Sequence, residues 1–360
     1  MKTYLLFPSK KAKWVKMVKE HKAPDHPLYG LTYFSQMGIE GVWSDRGFGK
    51  SVWRLPFRLL DQWFLSKTYM GFKLDVILSQ LTKLHESKIV VSFSESVGLP
   101  LLLCKKIGLV TIPVVFVSIG FDQRFLKKDS ILRGFVGSLL QEASRIVVYS
   151  QSEREVYNSV FSISDSKSKV TAVGVDVKFL TPKKEEQTID VLACGRDYGR
   201  DFRTVVEAVR GTTLRTVLVC PKEHIRGIIL SENIEHREQV DYDHMRELFA
   251  KAKVVAVIVH PYKTSGQFGL LEAWAMGKAV VVSNMPSLTT AFMAKDREHY
   301  LLAAPNNHVE LRTAIESLLS DVRLKARLEK SGRELVENAY TSKGYAYSLG
   351  KVIREVVDER

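Results

Sequence analysis

Three observations predict an α/β protein made of two Rossmann-like, doubly wound domains. Short runs rich in Val and Ile alternate with longer helical stretches along the whole chain. The runs are apolar almost throughout, as strands are when helices cover both faces of a parallel sheet. The chain also has 360 residues, more than one hydrophobic core usually supports.

The first series of strands is read at "KTYLLF", "KLDVIL", "SKIVVSF", "TIPVVFVS" and "SRIVVYS". The second is read at "SKVTAVGV", "TIDVLACG", "TLRTVLVC", "AKVVAVIVH" and "KAVVVSN". A polar break, "TPKKEEQT" at 181–188, separates most of the second series from the first and places the boundary near residues 175–188. From about Asn307 the chain reads as helix, and no solenoid repeat or low-complexity tract interrupts it.

Hydrophobic residues at 45% and charged residues at 26% describe a soluble globular chain. Cys104, Cys194 and Cys220 stand far apart in apolar stretches, which suits buried thiols in a reducing compartment rather than a disulfide framework or metal site. The start, "MKTYLLFPSKKAKW", lacks the apolar core of a signal peptide. The longest uncharged run, 107–121, contains Pro113 and falls short of a membrane span of roughly 20 residues. A cytoplasmic protein that does not cross a membrane is expected.

The net charge of +13 is uneven. Residues 1–175 carry 25 Lys and Arg against 14 Asp and Glu, whereas 176–360 carry 28 against 26. A negatively charged partner therefore meets the first half. Within it, residues 43–73 interleave Trp43, Trp53, Trp63, Phe48, Phe57, Phe64, Tyr69 and Phe72 with Arg46, Lys50, Arg54, Arg58, Lys67 and Lys73. That stretch has two readings: a helix packed on the core with snorkelling cations, or a peripheral contact with the anionic inner face of a membrane.

The chemistry concentrates in "TSGQFGLLEAWAMGKAVVVSN", 264–284. It follows a strand that ends near Pro261, and its loop runs into a helix. In open α/β sheets, ligands bind beyond the carboxyl ends of strands. The N–H groups and partial positive charge of a helix start favour a diphosphate. Gly266 and Gly269 let the backbone approach closely, and Glu272 is placed to reach sugar hydroxyls. This stretch resembles the donor-binding motif of GT-B glycosyltransferases, especially retaining family 4, in which two glutamates are separated by seven residues. Glu272, Ala273, Ala275, Gly277 and "AVVVS" match its second half. By that resemblance Glu272 binds the ribose, and Thr264, Ser265, Gly266, Gln267, Phe268 and Gly269 line the phosphate and sugar. Thr264 stands where the first glutamate is expected, a departure that leaves the transferred sugar open.

Two further stretches extend the resemblance. "IDVLACGRDYGRDFRTVVEAV" (189–209) is similar to the first strand, loop and helix of the family's donor domain, and implies that Arg196 and Arg200 hold the diphosphate. Two guanidinium groups there neutralise a departing nucleoside diphosphate. "EASRIVVYSQSEREVY" and "VTAVGVDVKFLTP" resemble the end of the acceptor domain and the lead into the donor domain. The resemblance thus covers about 140–360, with a further echo in "PDHPLYGLTYFSQMGIE". It implies an acceptor-binding domain at 1–175, a nucleotide-sugar-binding domain at 176–342, and a helix at 343–360 that crosses back to the first domain. The active site is expected in the cleft between the domains.

Other motifs carry less. "GFGKS" (47–51) ends like a phosphate-binding loop, but Ser44 stands where the full motif needs Gly. "DYD" (241–243) precedes a helix and reads as capping rather than metal binding. The histidines lack ligand spacing, so no metal is expected. "CGRDYGRD" is not the dinucleotide fingerprint GxGxxG. No single catalytic residue stands out; Asp25, His26 and Asp122, expected to face the site from the first domain, are the candidates.

These readings converge on a hexosyltransferase-type glycosyltransferase. It takes a nucleoside-diphosphate sugar as substrate, needs no cofactor or metal, and retains anomeric configuration. The acceptor is a glycan, a lipid-linked or a phosphate-bearing molecule. One alternative is an epimerase or hydrolase of the same fold. The other is a non-catalytic binder of anionic surfaces or nucleic acid, disfavoured because Arg196 and Glu272 both sit in matching contexts.

Overall fold

The computed structural model describes residues 1–45, 52–128, 130–262 and 264–359. The "GFGKS" stretch, with Arg46, Phe48 and Lys50, lies outside the described residues. The chain divides into two compact units: unit 1 comprises Met1–Met17, Leu28–Ala172 and Tyr345–Arg360, and unit 2 comprises Val18–Pro27 and Val173–Gly344.

In chain order the elements up to residue 170 are β1 (Lys2–Leu6), α1 (Ala12–Lys19), β2 (Glu40–Val42), α2 (Leu55–Thr68), α3 (Leu74–Leu78), α4 (Leu81–His85), β3 (Ile89–Phe93), α5 (Glu95–Lys106), β4 (Val114–Val117), α6 (Gln123–Lys128), α7 (Ser130–Leu140), β5 (Arg145–Val148), α8 (Gln151–Phe161) and β6 (Ser168–Val170). Then come β7 (Ile189–Cys194), α9 (Phe202–Val209), β8 (Thr216–Val219), β9 (Ile234–Arg237), α10 (Tyr242–Lys251), β10 (Ala252–Val257), α11 (Gln267–Ala275), β11 (Ala279–Ser283), α12 (Pro286–Thr289), β12 (Leu301–Ala303), α13 (His308–Ser320), α14 (Val322–Ala339) and α15 (Ser342–Asp358).

Unit 1 holds a six-stranded parallel sheet in the order β2-β1-β3-β4-β5-β6. Every residue of β3 and β4 is buried, as expected of strands covered on both faces. The C-terminal residues join this unit: Tyr345 lies buried with its hydroxyl 3.2 Å from that of Tyr149. Two sequence expectations are corrected here. "KLDVIL" is helical, as α3, because a short apolar run does not distinguish a strand from a buried helical turn by period alone. "SKVTAVGV" supplies β6 to the first sheet instead of opening the second.

Unit 2 holds a second parallel sheet, β12-β11-β10-β7-β8-β9. Its central strand β10 is flanked by β11 and β7, with Val254, Val255, Ala256 and Val257 all buried. The helix α11 is anchored by Trp274, which is fully buried, stacked on Tyr300 with centroids 6.0 Å apart. Its indole N–H donates to the His299 carbonyl at 3.0 Å, so the polar edge of the ring is satisfied. A Cβ on Gly332 of α14 would approach the Trp274 Cδ1 to 2.4 Å, so α14 packs closely only because that position is glycine. Burying such a ring stabilises by about 2–3 kcal/mol and fixes the helix whose first turns carry the candidate site.

Candidate functional site

The strand order of unit 2 reverses at β7: β8 and β9 extend to one side, β10 to β12 to the other. In a doubly wound sheet the loops after the two strands at such a point splay apart and leave a ligand crevice. Here these are the loop 195–201 after β7 and the loop that runs from β10 to α11. The sequence-predicted Arg196 and Arg200 lie in the first, and Thr264 to Gly269 in the second and the start of α11.

Gly266 is the N-cap of α11, with φ of +87°. A left-handed N-cap turns the chain sharply into the helix, and glycine adopts it without a Cβ penalty. Being glycine, Gly266 brings no side chain of its own to cap the positive end of α11. The Arg200 guanidinium sits beside this end, its Nη1 3.2 Å from where a Cβ on Gly266 or Gly269 would begin. Arg200 is 5% exposed and donates through Nη2 to the Cys194 carbonyl. A buried cation against the positive end of a helix is unfavourable alone and is relieved by an anion. Arg196 is exposed at the rim of the same loop. The two loops are tied together, because Ser265 donates to the Asp197 carboxylate, which also accepts from the Gly199 N–H at 3.0 Å.

Glu272 lies two turns into α11, half-buried, with Oε1 3.1 Å from Nε2 of His26. His26 is 5% exposed, and its ring stacks on Phe268 with centroids 5.4 Å apart. The Asp176 N–H points to Nδ1 of the same ring at 3.5 Å, an arrangement that puts the imidazole hydrogen on Nε2, facing Glu272. Asp176 in turn accepts from the Asp25 N–H at 3.1 Å, and Asp25 is buried. Burial pushes the Tyr242 hydroxyl far above its ordinary pKa; the charge of Glu272 adds to the shift, and that of Arg196 opposes it. A hollow of about 770 Å³ beyond β9 is lined by Arg237, Glu238, Gln239, Val240, Asp241 and His244.

Asp25 and His26, read from the sequence as first-domain residues, fold with unit 2 instead, because the segment Val18–Pro27 packs there. Asp122 lies in unit 1, engaged by Arg124: Nε donates to Oδ1 at 3.0 Å and Nη2 to Oδ2 at 2.8 Å. The side-chain amide of Gln267 donates to the Ser287 carbonyl at 2.8 Å, so its nitrogen is already engaged within unit 2. Asp241 caps α10 by accepting from the His244 N–H at 2.9 Å. Sequence reasoning missed the Asp197–Ser265 tie and the bracing of Glu272 by His26 and Asp176. Asp176 was in view as part of "GVD"; the partnership of residues 246 positions apart carries no local signal. Among the described residues, no group of three or more His, Cys, Asp or Glu is arranged to hold a metal ion.

Comparison with known proteins bears on this geometry. Residues 195–321, the segment that contains both loops and Glu272, match the family described as "Glycosyl transferases group 1". No curated protein matches the chain. Among solved structures, sucrose-phosphate synthase from Thermosynechococcus elongatus aligns with a TM-score of 0.75 at 14% identity over 100% of both chains. A glycosyltransferase from Rickettsia africae ESF-5 aligns at 0.65 and 14%, covering 100% of this chain and 99% of the other. HepE of Anabaena, in complex with UDP-glucose, aligns at 0.67 and 12%, covering 98% and 99%. Likenesses at this identity establish the fold, which is the two-domain GT-B fold. The matched segment, residues 195–321, makes the chain a glycosyltransferase by class.

Proposed function

We propose that the protein transfers a hexosyl group from a nucleoside-diphosphate sugar to an acceptor, and that unit 2 holds the donor. The observation that carries this reading is the buried Arg200 guanidinium beside the start of α11, where the N-cap is glycine, with Glu272 further along the same helix. The diphosphate supplies an anion there: backbone N–H groups of α11 and Arg200 bind its oxygens, and Arg196 closes over it from the rim. Glu272, with one carboxylate oxygen held by His26, accepts from the ribose hydroxyls with the other.

Bond cleavage leaves negative charge on the diphosphate. Two guanidinium groups and a helix start stabilise that charge without a metal, and such stabilisation is commonly the largest single contribution to catalysis. A retaining course follows if a donor phosphate oxygen takes the acceptor proton, as the resemblance implies. The crystallised complex of HepE with UDP-glucose favours UDP as the nucleotide. The acceptor is a glycan, a lipid-linked or a phosphate-bearing molecule received by the basic unit 1. A cytoplasmic setting is supported by three buried cysteines, all unpaired.

Calorimetry against UDP, GDP and ADP in EDTA tests the donor site directly. We expect one diphosphate to bind and its nucleoside alone to bind far more weakly. Equal affinity for the nucleoside and its diphosphate would remove the anion site, and with it this reading.

A further inference from the structure

Helix α2 is apolar on two opposite sides. Phe64 and Thr68 are buried in unit 1. Leu55, Leu59 and Trp63, spaced four residues apart, lie on the other side and are 56%, 59% and 51% exposed, and Trp53 just before the helix is 52% exposed. A surface helix of a soluble domain needs one apolar stripe, and a second one facing water marks an interaction surface. Of the neighbouring helices, α7 also turns apolar side chains outward. Arg124 of α6 places its guanidinium 3.9 Å from the ring centroid of Tyr69, at the end of α2. Beyond it, α7 exposes Ile131 and Phe135.

The charge around these stripes is positive. Arg58 and Lys67 share α2 with a single acid, Asp61, whose carboxylate is engaged by the Phe72 N–H. Lys127 and Arg133 lie on α6 and α7, where Arg124 is paired with Asp122, and residues 1–175 hold 25 basic against 14 acidic side chains. We infer that this face of unit 1 seats on an anionic lipid bilayer. Trp53 and Trp63 enter the headgroup boundary, Leu55 and Leu59 reach the acyl chains, and the flanking cations meet the lipid charge. A second copy of the chain is disfavoured as the occupant, because two such faces bring like charges together. Nucleic acid is disfavoured because a ridge of Leu and Trp finds no counterpart among phosphates. The inference is independent of the donor reading, since no residue of the α11 site takes part.

The test is co-sedimentation of the full chain with vesicles of phosphatidylcholine alone and of phosphatidylcholine with phosphatidylglycerol. Binding to the anionic vesicles is expected to exceed that to the neutral ones by about tenfold or more, and to fall as salt is raised. The double substitution Leu59→Ser and Trp63→Ser should lower it by about tenfold with an unchanged thermal midpoint, since both side chains are exposed. Arg58→Glu with Lys67→Glu should act in the same direction. Equal binding of parent and Leu59/Trp63 variant would overturn the proposal, and so would indifference to lipid charge. Sedimentation velocity that shows a dimer dissolved by the same substitutions would assign the face to a second copy and overturn it too.

Discussion

Nε2 of His26 donates to Oε1 of Glu272 across 3.1 Å, from a ring buried against Phe268. A carboxylate two turns into a helix would otherwise sample several rotamers; here one oxygen is held before any ligand arrives, which lowers the ordering cost of binding. Glu272→Ala should weaken UDP binding by about 1–3 kcal/mol through lost charge-assisted hydrogen bonds. His26→Ala should cost about 1 kcal/mol, and the two losses should be less than additive, since they remove one constellation. Calorimetry on the two single variants and the double variant measures this. A folded His26→Ala protein with the parent affinity would show that Glu272 needs no orientation.

Arg196 and Arg200 are separated by burial, and the separation has measurable consequences. Arg196→Ala should leave the thermal midpoint unchanged and lower UDP affinity by about 1–2 kcal/mol, with the difference shrinking in high salt. Arg200→Ala should lower both the thermal midpoint and UDP affinity, because its guanidinium also holds the Cys194 carbonyl inside the loop. Arg200→Lys should not restore it, since a point charge replaces a planar fork. Neither variant should alter binding of uridine. A loss that is equal for uridine and UDP would place these arginines away from the phosphates.

The parts of this architecture written locally were legible in the sequence, and the parts written by long-range pairing were not. Continuous Val and Ile runs marked β3, β4, β7, β10 and β11, because a strand covered on both faces has no polar alternation. The three-residue strands β2 and β12 have too few residues for a pattern, and β9 reads "IEHR", three of its four residues polar, at the sheet edge. At the site, Gly266, Arg196 and Glu272 stood out because their neighbours in sequence set their context. His26 was noticed and expected in the first domain, whereas it folds with unit 2, held by Asp176 and Glu272, 150 and 246 residues away.

Gly266→Ala tests whether the entry into α11 is as constrained as it looks. The residue has φ of +87°, and a Cβ there would stand 3.0 Å from Cγ1 of Val259 and 3.1 Å from Cγ1 of Val257. Backbone strain of about 1–2 kcal/mol and close contact with Val257 and Val259 should lower stability by about 2–3 kcal/mol. Because the turn aims the first N–H groups of α11, UDP affinity should fall beyond what the stability loss explains. Urea denaturation and calorimetry on the same preparation separate the two effects. A variant with full nucleotide affinity would show that the phosphates do not depend on this turn.

Glu95, at the start of α5 in unit 1, gives the fold a pH dependence of definite sign. Its carboxyl group is buried, and burial pushes its pKa from 4.5 up to about 7, against the opposing effect of the Ser118 hydroxyl and the Ile119 and Gly120 N–H groups that donate to it. The unfolded chain releases this proton near pH 4.5, whereas the folded chain holds it to about 7. Over that interval the folded state binds more protons, so stability falls as pH rises and levels off above about 7. At 1.36 kcal/mol per pKa unit the loss is roughly 3 kcal/mol. Glu95→Gln keeps an acceptor for the same donors and cannot ionise. Its advantage over the parent in urea midpoint should therefore grow from pH 5 to pH 8. Parallel pH profiles for the two proteins would mean that Glu95 titrates alike in the folded and unfolded states.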